Sequence, residues 1–272
     1  MKKGLKFQKR PQIMGILNVT GDSFYDGGLY FELDRAISRV KEMIDEGVDI
    51  VDVGGESTRP FSQRVPLEEE LKRTIPVIKK IREFSDIPIS IDTYKAKVAY
   101  EAIKAGANII NDISGLSFDK DMAKVAAEFD VPVVIMHIKG RPEDMQISPH
   151  YDDVIGEIKE YFRERIEYAK SQGIREENII IDPGIGFGKR VEDNLKILKS
   201  LSDFKEFGRP ILIGTSMKSF IGVVTNSPLT ERLPGTLASV AISIWNGADI
   251  VRVHHVKETK KVVDLVHAIK TS

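Results

Sequence analysis

Eight short runs rich in isoleucine and valine recur along the chain, and their spacing leaves few folds open. They are IMGIL (13–17), DIVDVG (49–54), IPISID (87–92), NIINDI (108–113), VPVVIM (131–136), NIIID (178–182), PILIG (210–214) and DIVRV (249–253). Most are continuous rather than alternating in polarity, the pattern of strands buried on both faces of a parallel sheet. Between them, apolar residues repeat at three and four, as expected of amphipathic helices: Ile37, Val40 and Ile44, then Met122, Val125, Ala126 and Phe129. Ile155, Ile158, Phe162, Ile166 and Ala169 continue the series, as do Leu237, Val240, Ala241 and Ile244, and finally Val262, Val266 and Ile269. Glu68, Glu69 and Glu70 crowd the start of the second helical pattern, where negative charge suits the helix dipole. Pro76 is expected to kink or end that helix.

Strand and helix repeated eight times, with right-handed crossovers, predict an α/β fold, a single (β/α)8 TIM barrel. A doubly wound open sheet is the rival, but it more often has fewer strands and an interior switch point. The 272 residues suit one barrel, which typically needs about 250, and no linker or low-complexity tract divides them, so residues 1–272 read as one domain. With 40 Lys and Arg against 41 Asp and Glu, binding of nucleic acid through bulk positive charge is disfavoured. The absence of cysteine excludes disulfides, thiolate zinc sites and a cysteine nucleophile together. No run approaches the roughly 18 apolar residues of a membrane span, and the run after the basic start, Ile13 to Leu17, is too short for a signal sequence. The expectation is a soluble cytoplasmic protein.

A barrel of this kind places its active site at the C-terminal ends of the strands. Nearly every such end here is polar: Asn18, Ser57-Thr58-Arg59, Asp92, Asn111-Asp112, His137, Asp182, Ser216 to Ser219, and Arg252 with His254. Helix caps explain one or two such ends but not eight. Asp92, Asn111 and Asp182 offer acceptors to a donor-rich planar edge, such as that of a pterin or guanine, and Lys218 offers a donor to a ring carbonyl. Arg59, Arg252, His254, Thr58 and Ser57 are anion binders, and Arg252 and His254, two apart on a strand, share a face. Together they suggest a phosphate or diphosphate.

Other motifs fail on spacing. Gly184, Gly186, Gly188 and Lys189 match neither a Walker loop nor the dinucleotide fingerprint. Gly214-x-Ser216 is followed by Met217-Lys218 and is no nucleophile elbow. No pair of histidines has zinc-site spacing, and adjacent His254 and His255 point to opposite faces.

The segments MGILNVTGDSFYDGG, DVGGESTRP, SIDT, NDISG, MHIKGRPEDMQ, DPGIGFGK, GTSMKSFIG and RVHHVKET, in this order from Ile13 to Thr259, resemble the dihydropteroate synthase family. The resemblance implies a (β/α)8 barrel that joins 6-hydroxymethyl-7,8-dihydropterin diphosphate to 4-aminobenzoate in folate synthesis, works as a homodimer with Mg2+, and is the target of sulfonamides. By resemblance, Asp92, Asn111, Asp182 and Lys218 hold the pterin ring. Arg252, His254, Asn18, Thr58 and Arg59 bind the diphosphate, with Asn18 also contacting the metal. Phe187, Pro60 and Ser219 line the aminobenzoate pocket. Arg59, Lys218, Arg252 and His254 are the residues expected to carry catalysis.

The chain departs from the family pattern at Gly21, Phe61, Met217 and His255, where Pro, Gly, Arg and Asp are usual. Met217 is expected to remove a cation from the aminobenzoate side, and these departures are expected to bear on affinity rather than on reaction type. The loops containing Asp22 and Arg59 are expected to close over the site. Two rivals share the pterin cradle: a methyltransferase that passes a methyl group to a corrinoid, and a non-catalytic pterin-binding barrel. Neither calls for a diphosphate site.

Overall fold

In the computed structural model, which describes residues 10–19, 29–59 and 61–272, the eight apolar runs form eight parallel strands. They are β1 (Gln12–Asn18), β2 (Ile50–Gly54), β3 (Ile89–Asp92), β4 (Ile109–Asp112), β5 (Val133–Met136), β6 (Ile179–Asp182), β7 (Leu212–Ile213) and β8 (Ile250–Val253). The sheet runs β6-β5-β4-β3-β2-β1-β8-β7, and a parallel bridge between Ile181 and Ile211 brings its two ends together. The fold is the (β/α)8 barrel that the strand spacing predicts.

The helices alternate with the strands: α1 (Leu29–Asp45), α2 (Leu67–Arg82), α3 (Ala96–Ala105), α4 (Met122–Phe129), α5 (Val154–Ser171), α6 (Val191–Lys199), α7 (Ser219–Thr225), α8 (Leu233–Trp245) and α9 (Val256–Thr271). The short α7 is additional to the eightfold repeat. It fills the loop after β7, where barrels often carry an extra helix. α2 continues through Pro76 rather than ending at it. Thr74, Val77, Ile78 and Ile81 are buried on either side of the proline, and this packing holds the helix together across the missing hydrogen bond. Among the described residues no helix is long and apolar enough to cross a membrane.

Two cores follow from the strand's period of two. Residues facing outward, such as Ile13, Val51, Val53, Ile91, Ile110, Val133 and Ile181, pack against the helices. Facing inward, Met14, Ile50, Ile109, Val134, Ile180, Leu212 and Ile250 form a separate, fully buried layer inside the barrel. Two residues further along each strand the interior changes character: Ile16, Asp52, Asn111, Met136, Asp182, Gly214 and Arg252. The apolar layer is therefore a floor, and the next layer is mostly polar.

Candidate active site

Above that floor lies a cavity of about 450 Å³. Asn18, Thr58, Arg59, Asn111, Asp182, Phe187, Lys218, Ser219, Arg252 and His254 all line it, drawn from six strand ends. Asp92 does not reach its surface. The Arg252 guanidinium lies across it, donating from Nη2 to Asp92 Oδ2 at 2.5 Å. Pro60 and the segment 20–28, with Gly21 and Asp22, lie outside the described residues, so closure by that first loop has no structural account.

The carboxylates are buried and partly satisfied from within. Asp182 Oδ1 accepts from the Gly184 amide at 2.7 Å, and burial pushes the carboxyl up against the pull of Lys218. Burial likewise raises Asp92, to about 7, although Arg252 opposes the shift. Lys218 donates to the Ile185 carbonyl, and its Nζ stands 4.7 Å from the centre of the Phe187 ring. Burial brings the amine down to about 8 despite Asp182. One carboxylate, one amide and one amine therefore line the same polar wall.

His254 carries no charge of its own for an anion. Burial, followed by the charge of Arg252, lowers its pKa to about 4, so the ring is neutral at pH 7. Ser216 Oγ accepts from the His254 amide at 3.2 Å and sits 2.9 Å from Nδ1. We assign the hydroxyl hydrogen to Nδ1, which places the ring proton on Nε2. His254 is a neutral donor held in place, not a point charge.

The glycine-rich loop after β6 explains why its spacing matched no phosphate motif. Gly184 and Gly188 have φ of +71° and +63°, and a Cβ there would fall 2.0 Å from the His137 carbonyl oxygen and 2.2 Å from that of Lys139. The loop is pressed against the loop after β5. Lys189 turns inward, donating to Phe187 O at 3.0 Å and to His137 O at 3.3 Å, with His137 Nδ1 at 2.9 Å. It ties two loops together and sets the position of Phe187.

The loop after β2 is held in a comparable way. Glu56 accepts from the Val65 amide at 3.0 Å, the Tyr94 hydroxyl at 2.6 Å and Lys95 Nζ at 2.5 Å, while Arg73 reaches the Gly55 carbonyl at 2.9 Å. This anchors Ser57, Thr58 and the exposed Arg59 at the mouth.

The departures from the family pattern now have places. Met217 lines the cavity, but so does Arg232, which donates to the Met217 carbonyl at 3.2 Å. A guanidinium is thus present on that side after all. Phe61 is exposed and has φ of +63°, a conformation that costs a glycine nothing. His255 is the N-cap of α9 and lies outside the cavity, and its side chain makes no capping bond. Since aspartate is a strong N-cap, His255→Asp is expected to stabilise the barrel by about 1 kcal/mol. It should also raise the His254 pKa, because the charge of His255 is one of the causes that lower it. Chemical denaturation and an NMR titration of His254 read the two effects.

Sequence reasoning passed over Asp52 and Arg232. Asp52 is fully buried, accepts from Arg252 Nε at 2.6 Å, and receives Asn111 Nδ2 at 3.2 Å. Its signal was its phase: it stands two residues after Ile50, in step with Asn111, Asp182 and Arg252.

Comparison with known proteins agrees with this geometry. Residues 14–254 match the family model described as pterin binding enzyme. The chain is 51% identical to the dihydropteroate synthase of Clostridium beijerinckii over 98% of its own length and 97% of that protein's. It belongs to the dihydropteroate synthase family. A dihydropteroate synthase from Clostridium difficile, crystallised in the presence of pteroic acid, superposes with a TM-score of 0.92 at 48% identity, covering 98% of this chain and all of that one. The Xanthomonas albilineans dihydropteroate synthase with 4-aminobenzoic acid superposes with a TM-score of 0.90 at 40% identity, covering 97% and 94% of the two chains. Dihydropteroate synthases are transferases, and this chain carries that enzyme's barrel over nearly its full length.

Proposed function

We infer that the chain joins 6-hydroxymethyl-7,8-dihydropterin diphosphate to 4-aminobenzoate, forming 7,8-dihydropteroate and releasing diphosphate. The observation that carries this reading is one cavity lined both by acceptors and a donor for a pterin edge, at Asn111, Asp182 and Lys218, and by anion binders at Thr58, Arg59, Arg252 and His254. Asp92, behind Arg252, completes the pterin cradle once the guanidinium moves. Exposed Ser219 and the guanidinium of Arg232 face the side assigned to the aminobenzoate carboxylate, with Phe187 against its ring. Pro60 is assigned to the same side.

The chemistry asks little of a base. The C–O bond from the pterin methylene to diphosphate breaks, a C–N bond to the neutral aromatic amine forms, and the amine proton is lost afterwards. The pterin can share positive charge at the methylene, which favours a dissociative path. Arg59, Arg252 and the Nε2 hydrogen of His254 then stabilise charge growing on the departing diphosphate, while Lys218 and the carboxylates orient the ring.

Mg2+ belongs to the same reading. Among the described residues no group of three or more His, Asp or Glu could hold a metal, whereas Asn18 offers an exposed amide oxygen at the cavity. That donor set suits a hydrated Mg2+ carried in on phosphate oxygens rather than a resident ion. Bound at Asn18, the ion would neutralise charge on the leaving group. A coupled assay of diphosphate release is the test. Release dependent on both substrates is expected, and pterin binding without release would favour the binding barrel.

A homodimer and a cytoplasmic location complete the proposal. α8 buries Val240 and Ile244 on one face yet exposes Ile242 and Trp245 on the other. Val223, Val224, Leu265 and Ile269 on α7 and α9 are exposed as well. A helix apolar on both faces is covered on both, and a second copy of the chain is the cover we assign. Trp245→Glu is expected to convert a dimer to a monomer by light scattering, with an unchanged circular dichroism spectrum.

A further inference from the structure

Asp52 is wholly inside the barrel, on β2, and has no solvent. One oxygen, Oδ2, serves two partners: Arg252 Nε at 2.6 Å and Asn111 Nδ2 at 3.2 Å. The other, Oδ1, is buried without a hydrogen-bond partner, as is Asp92 Oδ1. A buried carboxylate oxygen left unpaired is costly and calls for an explanation.

Geometry supplies one. Arg252 is forked between two carboxylates, with Nε on Asp52 and Nη2 on Asp92. A ligand that is to reach Asp92 must take the guanidinium off it. If Nε stays on Asp52 Oδ2, the guanidinium turns about that contact, and Asp52 Oδ1 is the acceptor waiting for a second nitrogen. Arg252 then exchanges one carboxylate for another and never sits in the site uncompensated. The same carboxylate settles the orientation of Asn111. A carboxylate only accepts, so the amide must turn Nδ2 toward Asp52, which leaves Oδ1 for the cavity that Asn111 lines.

We propose that Asp52 is a positioning residue for the synthase reaction, the pivot on which Arg252 swings off Asp92 to admit the pterin and the group that turns Asn111's oxygen toward it. The proposal rests on the synthase reading of the cavity. Asp52 touches neither substrate, and what it supplies is the arrangement of two residues that do.

Asp52→Asn replaces the carboxylate with a near-isosteric amide. With Asp92 left as the only carboxylate for Arg252, and with Asn111 free to flip, affinity for 6-hydroxymethyl-7,8-dihydropterin diphosphate in calorimetry should fall roughly 10- to 100-fold, as for a lost charge-assisted hydrogen bond. The KM for 4-aminobenzoate should stay within about twofold, since that substrate meets neither residue. A second measurement uses the wild-type protein and stands even if the variant does not fold. The Arg252 Nε–H resonance, protected by Asp52, should persist in NMR spectra when the pterin diphosphate is added, while the Nη signals shift. Pterin affinity of Asp52→Asn within twofold of wild type, or loss of the Nε–H resonance on pterin binding, would overturn the pivot. Failure of the wild type to bind the pterin diphosphate at all would instead defeat the reading of the cavity.

Discussion

His254→Ala is expected to lower the rate of diphosphate release by about 100- to 1,000-fold, the cost of deleting one preorganised donor to a developing oxyanion. Pterin binding measured without turnover should change far less, because the donor matters most as charge collects on the leaving group. The structure sharpens this beyond a loss of charge. His254 titrates at about 4, so its contribution at neutral pH is a neutral N–H fixed by Ser216. His254→Gln, which also offers a neutral N–H, should therefore recover part of the lost rate. The profile of kcat/KM against pH, which reports the free enzyme, should show no inflection from His254 above about pH 5. Release by His254→Ala near the wild-type rate would defeat this role, and an inflection near pH 6.5 that disappears in the variant would defeat the neutral donor.

Arg252→Met should cost stability as well as turnover, by about 3–5 kcal/mol, because it strands two buried carboxylates, Asp52 and Asp92, that share one guanidinium. The loss should depend on pH in a defined direction. The Asp92 pKa of about 7 in the folded protein lies above the ordinary carboxylate value, so the folded state takes up a proton between the two, and Asp92 makes the wild type less stable as pH rises toward 7. Without Arg252 that pKa moves higher still. The variant then goes on losing stability above about pH 8, where Asp92 in the wild type has essentially finished titrating. The gap between the two proteins in urea denaturation should be larger at about pH 8.5 than at about pH 6.5. A gap that narrows with rising pH would show that Arg252 does not hold Asp92 in its charged form.

The second effect comes from one polar layer of the barrel, and that layer was partly legible. Asp92, Asn111, Asp182 and Arg252 stand out because each ends or nearly ends an apolar run, and a polar residue two positions after a buried isoleucine, as at Asn111, Asp182 and Arg252, must share its inward face. Asp52 obeys the same rule after Ile50, but it sits inside a run that continues with Val53 and Gly54, so it reads as part of the strand rather than its end. Arg232 gave no local signal. Its neighbours Leu229 to Gly235 form a turn and a helix start, and only the packing of that turn beneath the loop after β7 brings it to the cavity. At Pro76 the helix end that local propensity allows is absent, because the buried face of α2 carries the helix through it.

Period and order alone decided that this chain closes a parallel barrel, which strand ends face its mouth, and that acceptors and anion binders gather there. Those are matters of local pattern, because inward and outward faces alternate by geometry and a barrel has only one C-terminal end. Charge state and pairing were decided by the fold. His254 is neutral because burial and Arg252 make protonation costly, and Arg252 is held across Asp92 because Asp52, 200 residues away in sequence, reaches the same guanidinium. Such properties depend on distances between groups from different strands and on the water excluded around them, and neither exists until the barrel has closed.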